Sequence, residues 1–314
     1  MTNEFIHVQT LADITERKPT FLAIGSFDGV HAGHQVILKQ LVKAAREAGV
    51  QAAVLTFFPH PKRVVKNLKG PYYLSTLDER IEILRSLGVN LLITHPFDEA
   101  VRTTKADGFI DRLIEVMDLK QLWGGDFALG HNREGDVPYL RKLGKIRGFT
   151  VESASELYML NNRIVSSSRI RESLSKGDVA DVKVCLGRPY QLVGQVVPGD
   201  QRGRTIGFPT ANLDVWEEQL LPMNGVYASL VTVNGKTHIA ATNVGVRPTV
   251  QGKDVRVEAH LLDFDEDIYG KEMRLQFMAF IRPEMKFNGL TELKNQIDKD
   301  VHQIRLSLAT KITE

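Results

Sequence analysis

Gly25-Ser26-Phe27-Asp28-Gly29-Val30-His31-Ala32-Gly33-His34 decides how this chain is read. It follows an apolar strand, Phe21-Leu22-Ala23-Ile24, and enters a helix whose apolar positions Ile37, Leu41, Ala44 and Ala48 recur at helical spacing until Gly49 ends it. Both histidines therefore fall at the start of a helix. Backbone N–H groups there lack helical acceptors and the macrodipole is positive, so an anion is favoured and imidazoles can add hydrogen bonds to it. Gly33 removes a side chain where a nucleotide would approach, and Gly25 and Gly29 bracket Phe27 and Asp28 in a tight turn. Taken alone, two such histidines also fit a cap and a packed ring. The turn of glycines and Asp directly after a buried strand favours a phosphate loop.

Outward from this segment the first half alternates. Strand candidates at 21–25, 52–57, 91–94, 121–124 and 150–153 are interleaved with helical spacing at 34–48, 76–87 and 104–117. This predicts an α/β fold with a doubly wound parallel sheet, which binds ligands beyond the carboxyl ends of its strands, where residues 25–34 fall. From Pro189 the pattern becomes period-two strands at 191–197, 226–233, 238–246, 255–264 and 272–281, with Asn234-Gly235 as a hairpin signal and an amphipathic helix over 290–308. A small antiparallel β-barrel with a C-terminal helix is expected. The boundary is placed near Arg188-Pro189, giving domains 1–188 and 189–314.

Composition agrees with two soluble cores. The 314 residues are 43% hydrophobic, and 40 Lys+Arg against 38 Asp+Glu leave +2, which exerts no general pull toward nucleic acid or membrane. One cysteine, Cys185, excludes an intrachain disulfide and cysteine-pair metal sites, and suits a reducing, cytoplasmic setting. Residues 1–20 are too charged for a signal-peptide core, and no apolar run reaches the ~20 residues of a membrane helix.

Other segments carry chemistry. Ser166-Ser167-Ser168-Arg169-Ile170-Arg171 opens a further helix, where one hydroxyl serves as cap and the rest, with Arg171, suit a departing pyrophosphate. Asp126, in the stretch Trp123-Gly124-Gly125-Asp126-Phe127-Ala128-Leu129-Gly130, follows a strand and is either a turn residue or a nucleotide neighbour. Phe57-Phe58-Pro59-His60-Pro61 is an extended loop in which His60 alone reads as a loop histidine. In the second half, residues 199–213 bring Gly203, Thr205 and Gly207 into a flexible phosphate-covering loop without Walker spacing. Thr210 and Asn212, two apart in an extended segment, offer neutral oxygens to Mg²⁺–ATP or form an Asx/ST turn. Glu258 and His260 alternate with Val255, Val257 and Ala259; their face is solvated unless it lines a barrel mouth, where Glu258 would take a hydroxyl proton.

The string at 25–34 resembles the signature of the nucleotidyltransferase superfamily. With FFPHP, GGDFALG and SSSRIR in the same order and spacing, it resembles the bacterial bifunctional riboflavin kinase/FMN adenylyltransferases, also called FAD synthetases. GRTIGFPTANL, NGVYA, NVGVRPT, VEAHLLDF and IRPEMKF resemble the kinase module of that family over 189–287. The resemblance implies ATP-dependent phosphorylation of riboflavin to FMN in the barrel, then adenylylation of FMN to FAD with release of pyrophosphate in the first domain. It implies that His31 and His34 bind ATP phosphates, with Asp126 beside the nucleotide and Ser167, Ser168 and Arg171 steadying pyrophosphate. It also implies that Thr210 and Asn212 hold Mg–ATP, Glu258 is the catalytic base and Arg282 lies near the flavin, with Phe57 and His60 as flavin candidates in the first half. Asp126 stands where asparagine is frequent in the family, and Ser168 where threonine is. Riboflavin, FMN and ATP with Mg²⁺ are the implied ligands, without nucleic acid or membrane. Two rival readings are a kinase whose first half has lost or changed its acceptor, and a non-catalytic flavin-binding regulator. The latter would carry a basic stripe with stacking aromatics; residues 62–69 are the modest candidate and read as a solvated loop.

Overall fold

The computed structural model describes residues 4–125, 129–153, 158–199, 202–249 and 252–309. The chain forms two compact units, one of Met1–Gly70 and Ser75–Val165, the other of Pro71–Leu74 and Ser166–Glu314.

The first unit opens with β1 (Ile6–Val8), β2 (Thr20–Ile24), α1 (Ala32–Ala48), β3 (Gln51–Phe57), α2 (Pro61–Lys66), α3 (Leu77–Ser86) and β4 (Leu91–His95). It continues with α4 (Glu99–Thr103), α5 (Ala106–Met117), β5 (Leu119–Gly124), α6 (Val137–Arg147), β6 (Thr150–Ser153) and the short pair β7 (Met159–Leu160) and β8 (Arg163–Ile164). Six strands pair in the order β1-β4-β3-β2-β5-β6, every neighbour parallel. Parallel strands are covered on both faces, which is why β3 is buried almost end to end. Alternation along β2 splits the core. Leu22 and Ile24 face Ile110 and Leu113 of α5 and Leu140 of α6, whereas Ala23 faces Leu38 and Leu41 of α1 and Leu84 of α3. The chain runs from β2 outward through β3 to β4, then returns to β5 on the other side of β2. The crevice beyond the carboxyl ends of β2 and β5 is therefore the switch point where doubly wound sheets bind ligands. The five expected strands are present; β1, α2, α4 and α6 were not anticipated.

The second unit holds α7 (Ser167–Ser175), α8 (Val179–Leu186), β9 (Tyr190–Val197), α9 (Arg202–Thr205), β10 (Ala211–Val215), β11 (Gly225–Val233), β12 (Lys236–Thr249), β13 (Gly252–Leu261), β14 (Glu272–Arg282) and α10 (Leu290–Ala309). Its strands close into a barrel in the order β10-β13-β12-β11-β14-β9. Asn234 and Gly235, at φ of 50° and 73°, make the hairpin between β11 and β12. Tyr190, Leu192, Tyr227, Val244, Val257 and Phe277 are buried in the barrel unit, and Ile304 and Leu308 of α10 pack with Ala228 and Leu262. The compact units place α7 and α8 with the barrel. The reason is packing: Met223 N donates to Leu174 O at 2.8 Å, and a Cβ on Gly177 would lie 3.0 Å from Met223 and 3.2 Å from Phe280.

Barrel closure rests on the β9–β10 pair, where Gly194 lies opposite Val215. A Cβ there would sit 1.8 Å from the carbonyl oxygen of Asp214. Gly194→Ala should therefore destabilise the barrel by ~1–3 kcal/mol, the usual cost of forcing atoms into packed space. A lowered denaturant midpoint for unfolding of the barrel, followed by circular dichroism, checks it.

Candidate active sites

The loop after β2 is held in an unusual shape. Phe27, Gly29 and Val30 have φ of 44°, 77° and 41°, and the left-handed region is a true outlier for a β-branched residue such as Val30. What imposes it is burial. Val30 is fully buried, and Asp28, also fully buried, faces Arg80 of α3 at 3.5 Å. Arg80 Nη1 donates to Ser26 O at 3.1 Å, Thr56 Oγ1 donates to the same oxygen at 2.9 Å, and Gly29 N donates to Ser75 Oγ at 3.2 Å.

This loop delivers the chain to α1 at His31. Its Nδ1 accepts from His34 N at 3.3 Å, so His31 is the N-cap and its ring proton resides on Nε2. The His34 ring stacks on His31 with centroids 3.6 Å apart, and Phe27 meets it edge-on at 5.1 Å. His34 Nδ1 is buried without a hydrogen-bond partner. Burial lowers the His31 pKa to about 4; burial first, then the charges of His31 and Arg80, hold His34 well below the ordinary imidazole value. Both rings are therefore neutral near pH 7. The space beside Gly33 belongs to protein: a Cβ would lie 3.3 Å from the His31 ring and from Tyr158 Cβ, so packing against those groups calls for the glycine.

At the end of β3, Phe57 meets Phe97 edge-on at 5.4 Å and His95 at 6.3 Å, forming an aromatic wall. His60 caps α2, its Nδ1 accepting from Lys62 N at 3.0 Å. Asp126 lies outside the described residues.

The serine–arginine cluster belongs to the second compact unit. Ser166 caps α7 by accepting from Arg169 N at 3.2 Å; Ser167 and Ser168 are its first helical residues. Arg169 is buried against Asp181 and is structural. Arg171 Nε donates to Tyr72 O at 3.1 Å, and its guanidinium lies 4.2 Å from the Tyr72 ring centroid.

In the barrel, register does the assembling. Asn212 on β10 is opposite Glu258 on β13, Glu258 is opposite Asn243 on β12, Asn243 is opposite Val226 on β11, and Val226 is opposite Arg282 on β14. Directly opposed residues project to the same face, so these five form one row across the strands. Val257 and Ala259 are buried in the core, and half-buried Glu258 is on the opposite face. The row thus lies on the outer wall rather than in a barrel mouth. Arg282 Nε donates to both carboxylate oxygens of buried Asp300 at 3.0 Å, and Nη2 donates at 2.8 Å, which clamps β14 to α10.

The 199–209 loop passes close to the same row. A Cβ on Gly199 would lie 2.1 Å from Asn212 Nδ2, and one on Gly203 would lie 2.2 Å from Phe208 O. His260 Nδ1 lies 2.7 Å from Pro209 O and its ring meets Phe208 edge-on, tying the loop to β13. Thr205 and Gly207 are exposed in this loop, and Thr210 is half-buried at its end. Beside them opens a cavity of about 220 Å³ lined by Arg204, Pro209, Thr210, Phe264 and Tyr269. Sequence reasoning missed Arg80, Ser75 and Asn243. Asn243 follows Thr242 on its strand and stands out only once pairing sets it against Glu258.

A phosphate loop at the switch point of a parallel sheet, together with a closed barrel bearing a carboxylate flanked by amides, defines a transferase with two nucleotide-using modules. A family model described as FAD synthetase matches residues 13–169, and one described as riboflavin kinase matches 186–308. Curated bifunctional riboflavin kinase/FMN adenylyltransferases are similar over most of their lengths. That of Listeria monocytogenes is 37% identical over 291 residues, 92% of each chain, and that of Escherichia coli K12 is 37% identical over 282 residues, 89% of this chain and 90% of its own. A crystal structure described as a macrolide-efflux protein from Streptococcus pneumoniae matches with TM-score 0.86 and 30% identity, covering 96% of this chain and 98% of that one. The chain belongs to the bifunctional riboflavin kinase/FMN adenylyltransferase family: it phosphorylates riboflavin to FMN with ATP and adenylylates FMN to FAD. Among the described residues no helix is long and apolar enough to cross a membrane.

The lowered His31 pKa makes the first unit acid-sensitive. Between about 4 and the ordinary 6.5 the unfolded chain binds more protons than the folded one, so stability is full above 6.5 and falls as pH drops toward 4. His31→Asn keeps a capping side chain but removes this titration. Its urea midpoint should fall less than that of the unmodified protein between pH 7 and pH 5; equal falls would assign the acid sensitivity elsewhere.

Proposed function

We propose that adenylyl transfer takes place at the loop between β2 and α1 and that riboflavin is phosphorylated on the outer wall of the barrel. The observation that carries this division is the row from Asn212 to Arg282, which brings separately expected kinase residues into one line. In this reading Glu258 accepts the proton of the terminal ribityl hydroxyl as its oxygen attacks the γ-phosphorus of ATP and ADP leaves. Arg282 and the adjoining wall receive the flavin. Thr210 and Asn212 present neutral oxygens, and Gly199 and Gly203 bring the backbone against them in a cradle that a Cβ would fill; this set fits a magnesium–ATP complex. Bound there, magnesium would neutralise phosphate charge. The 220 Å³ cavity beside Thr210 has the position and aromatic lining to take the base of that nucleotide.

At the first site a phosphate oxygen of FMN attacks the α-phosphorus of ATP and pyrophosphate leaves. The α1 N-terminus and the unpartnered His34 Nδ1 support phosphate binding there, with Gly25, Phe27, Asp28 and Gly29 shaping the loop. Phe57 and the aromatic wall offer a face for the isoalloxazine ring. His60 and Asp126 remain candidates from the resemblance, as do Ser167, Ser168 and Arg171 for pyrophosphate. The catalytic division near residue 188 is supported by the matched spans ending at 169 and beginning at 186. A cytoplasmic setting follows from the ATP dependence and the single buried cysteine, Cys185.

His34→Ala should lower FAD formation from FMN by ~10²–10³, as for a lost preorganised contact, and leave FMN formation from riboflavin intact. Glu258→Gln should do the reverse, lowering riboflavin phosphorylation by ~10²–10⁴ while FAD synthesis from supplied FMN survives. Chromatography of riboflavin, FMN and FAD reads both. Equal loss of the two activities in either folded variant would contradict the division.

A further inference from the structure

Asn243 has no part in the two transfers so far assigned, yet it occupies the centre of the barrel row. Its register partners are Glu258 on one side and Val226 on the other, and Val226 in turn pairs with Arg282. Strands stand ~4.8 Å apart, so Glu258 and Arg282, three strands apart, are separated by roughly 14 Å along the wall. A flavin whose ring lies toward Arg282 and whose terminal hydroxyl reaches Glu258 must lay its polyol chain over Val226 and Asn243. Val226 offers no hydrogen bond. Asn243 offers an N–H₂ donor and a carbonyl acceptor, the pair of functions a polyol needs.

The space beside Asn243 is also defined. A Cβ on Gly245 would lie 3.1 Å from Asn243 Nδ2 and 2.5 Å from Glu284 Oε1, so the Glu284 carboxylate sits over the glycine beside the amide. Glu284 Oε2 in turn accepts from Asn224 Nδ2 at 3.3 Å. The amide thus has the Glu284 carboxylate, from the segment after β14, beside it over Gly245, and Glu258 opposite it on β13.

We infer that Asn243 is the residue by which the kinase site recognises the ribityl chain, and that it also positions Glu258 toward the terminal hydroxyl. The inference rests on Glu258 being the base. It predicts selectivity for polyol-bearing flavins: the isoalloxazine ring alone gains nothing from Asn243.

The test is flavin-fluorescence binding of riboflavin and of lumiflavin, which lacks the ribityl chain, together with kcat and KM measured separately for riboflavin phosphorylation. Asn243→Ala should weaken riboflavin about tenfold, the worth of one or two hydrogen bonds, and leave lumiflavin unchanged. Asn243→Asp keeps acceptor oxygens but loses the N–H₂ donor, and should raise KM for riboflavin about tenfold and lower kcat with it, since Glu258 loses the amide that orients it. Asn243→Asp keeps the size of the side chain and is the variant to read should alanine unfold the barrel. Equal weakening of both flavins, unchanged riboflavin binding, or unchanged kcat and KM in Asn243→Asp would overturn the inference. Glu258→Gln, run alongside, separates the two ideas. Full kinase turnover in that variant removes the base itself, whereas its collapse beside unaffected Asn243 variants removes only the role of Asn243.

Discussion

Asp28 and Arg80 face each other fully buried at 3.5 Å, and two charges so placed lose far more hydration than an exposed pair would. Removing either partner strands the other, at a typical cost of ~3–5 kcal/mol, so the loop cannot relax without breaking the pair. That constraint sets the conformation of the residues on either side of Asp28. Ser26 is anchored through Arg80 and Thr56, Val30 is held at positive φ, and His31 arrives in position to cap α1. The positive guanidinium also disfavours a charge on His34, which burial already opposes. The outcome is a helix start that presents backbone N–H groups beside neutral, stacked imidazoles, the arrangement proposed for phosphate.

The barrel solves its problem differently. Once the strands close in register, Asn212, Glu258 and Asn243 align on one face, and Arg282 is held in the same row by its ion pair with buried Asp300. The contrast fits the two nucleophiles. An FMN phosphate is already ionised near neutral pH and requires charge neutralisation and alignment with the α-phosphorus. A ribityl hydroxyl must lose a proton, the task proposed for Glu258. Neither transfer requires a covalent intermediate, and positioning dominates both.

Much of this was legible in the sequence, for identifiable reasons. Buried parallel strands are near-continuous apolar runs, so β2, β3 and β4 stand out, and Asn234-Gly235 marks its hairpin through the positive φ both residues adopt. The edge strand β1 was invisible because three residues with exposed positions carry little pattern. Asp136 accepting from Tyr139 N ahead of Pro138 is a helix-start signal for α6 that went unread. Arg80 reads as one more charge on an amphipathic helix, since its partner Asp28 is distant in sequence. Asn243 is uninformative until strand pairing sets it against Glu258. The packing of α7 and α8 with the barrel leaves no mark in composition.

The central claim, two chemically independent sites sharing one chain, is tested most directly by mixing. His34→Ala protein and Glu258→Gln protein are combined with riboflavin and Mg–ATP, and FAD is measured against each protein alone. The account predicts that neither variant alone converts riboflavin to FAD efficiently but that the mixture does, since FMN made on one barrel is adenylylated at the intact loop of the other. A mixture no more active than its components, each folded, would contradict it.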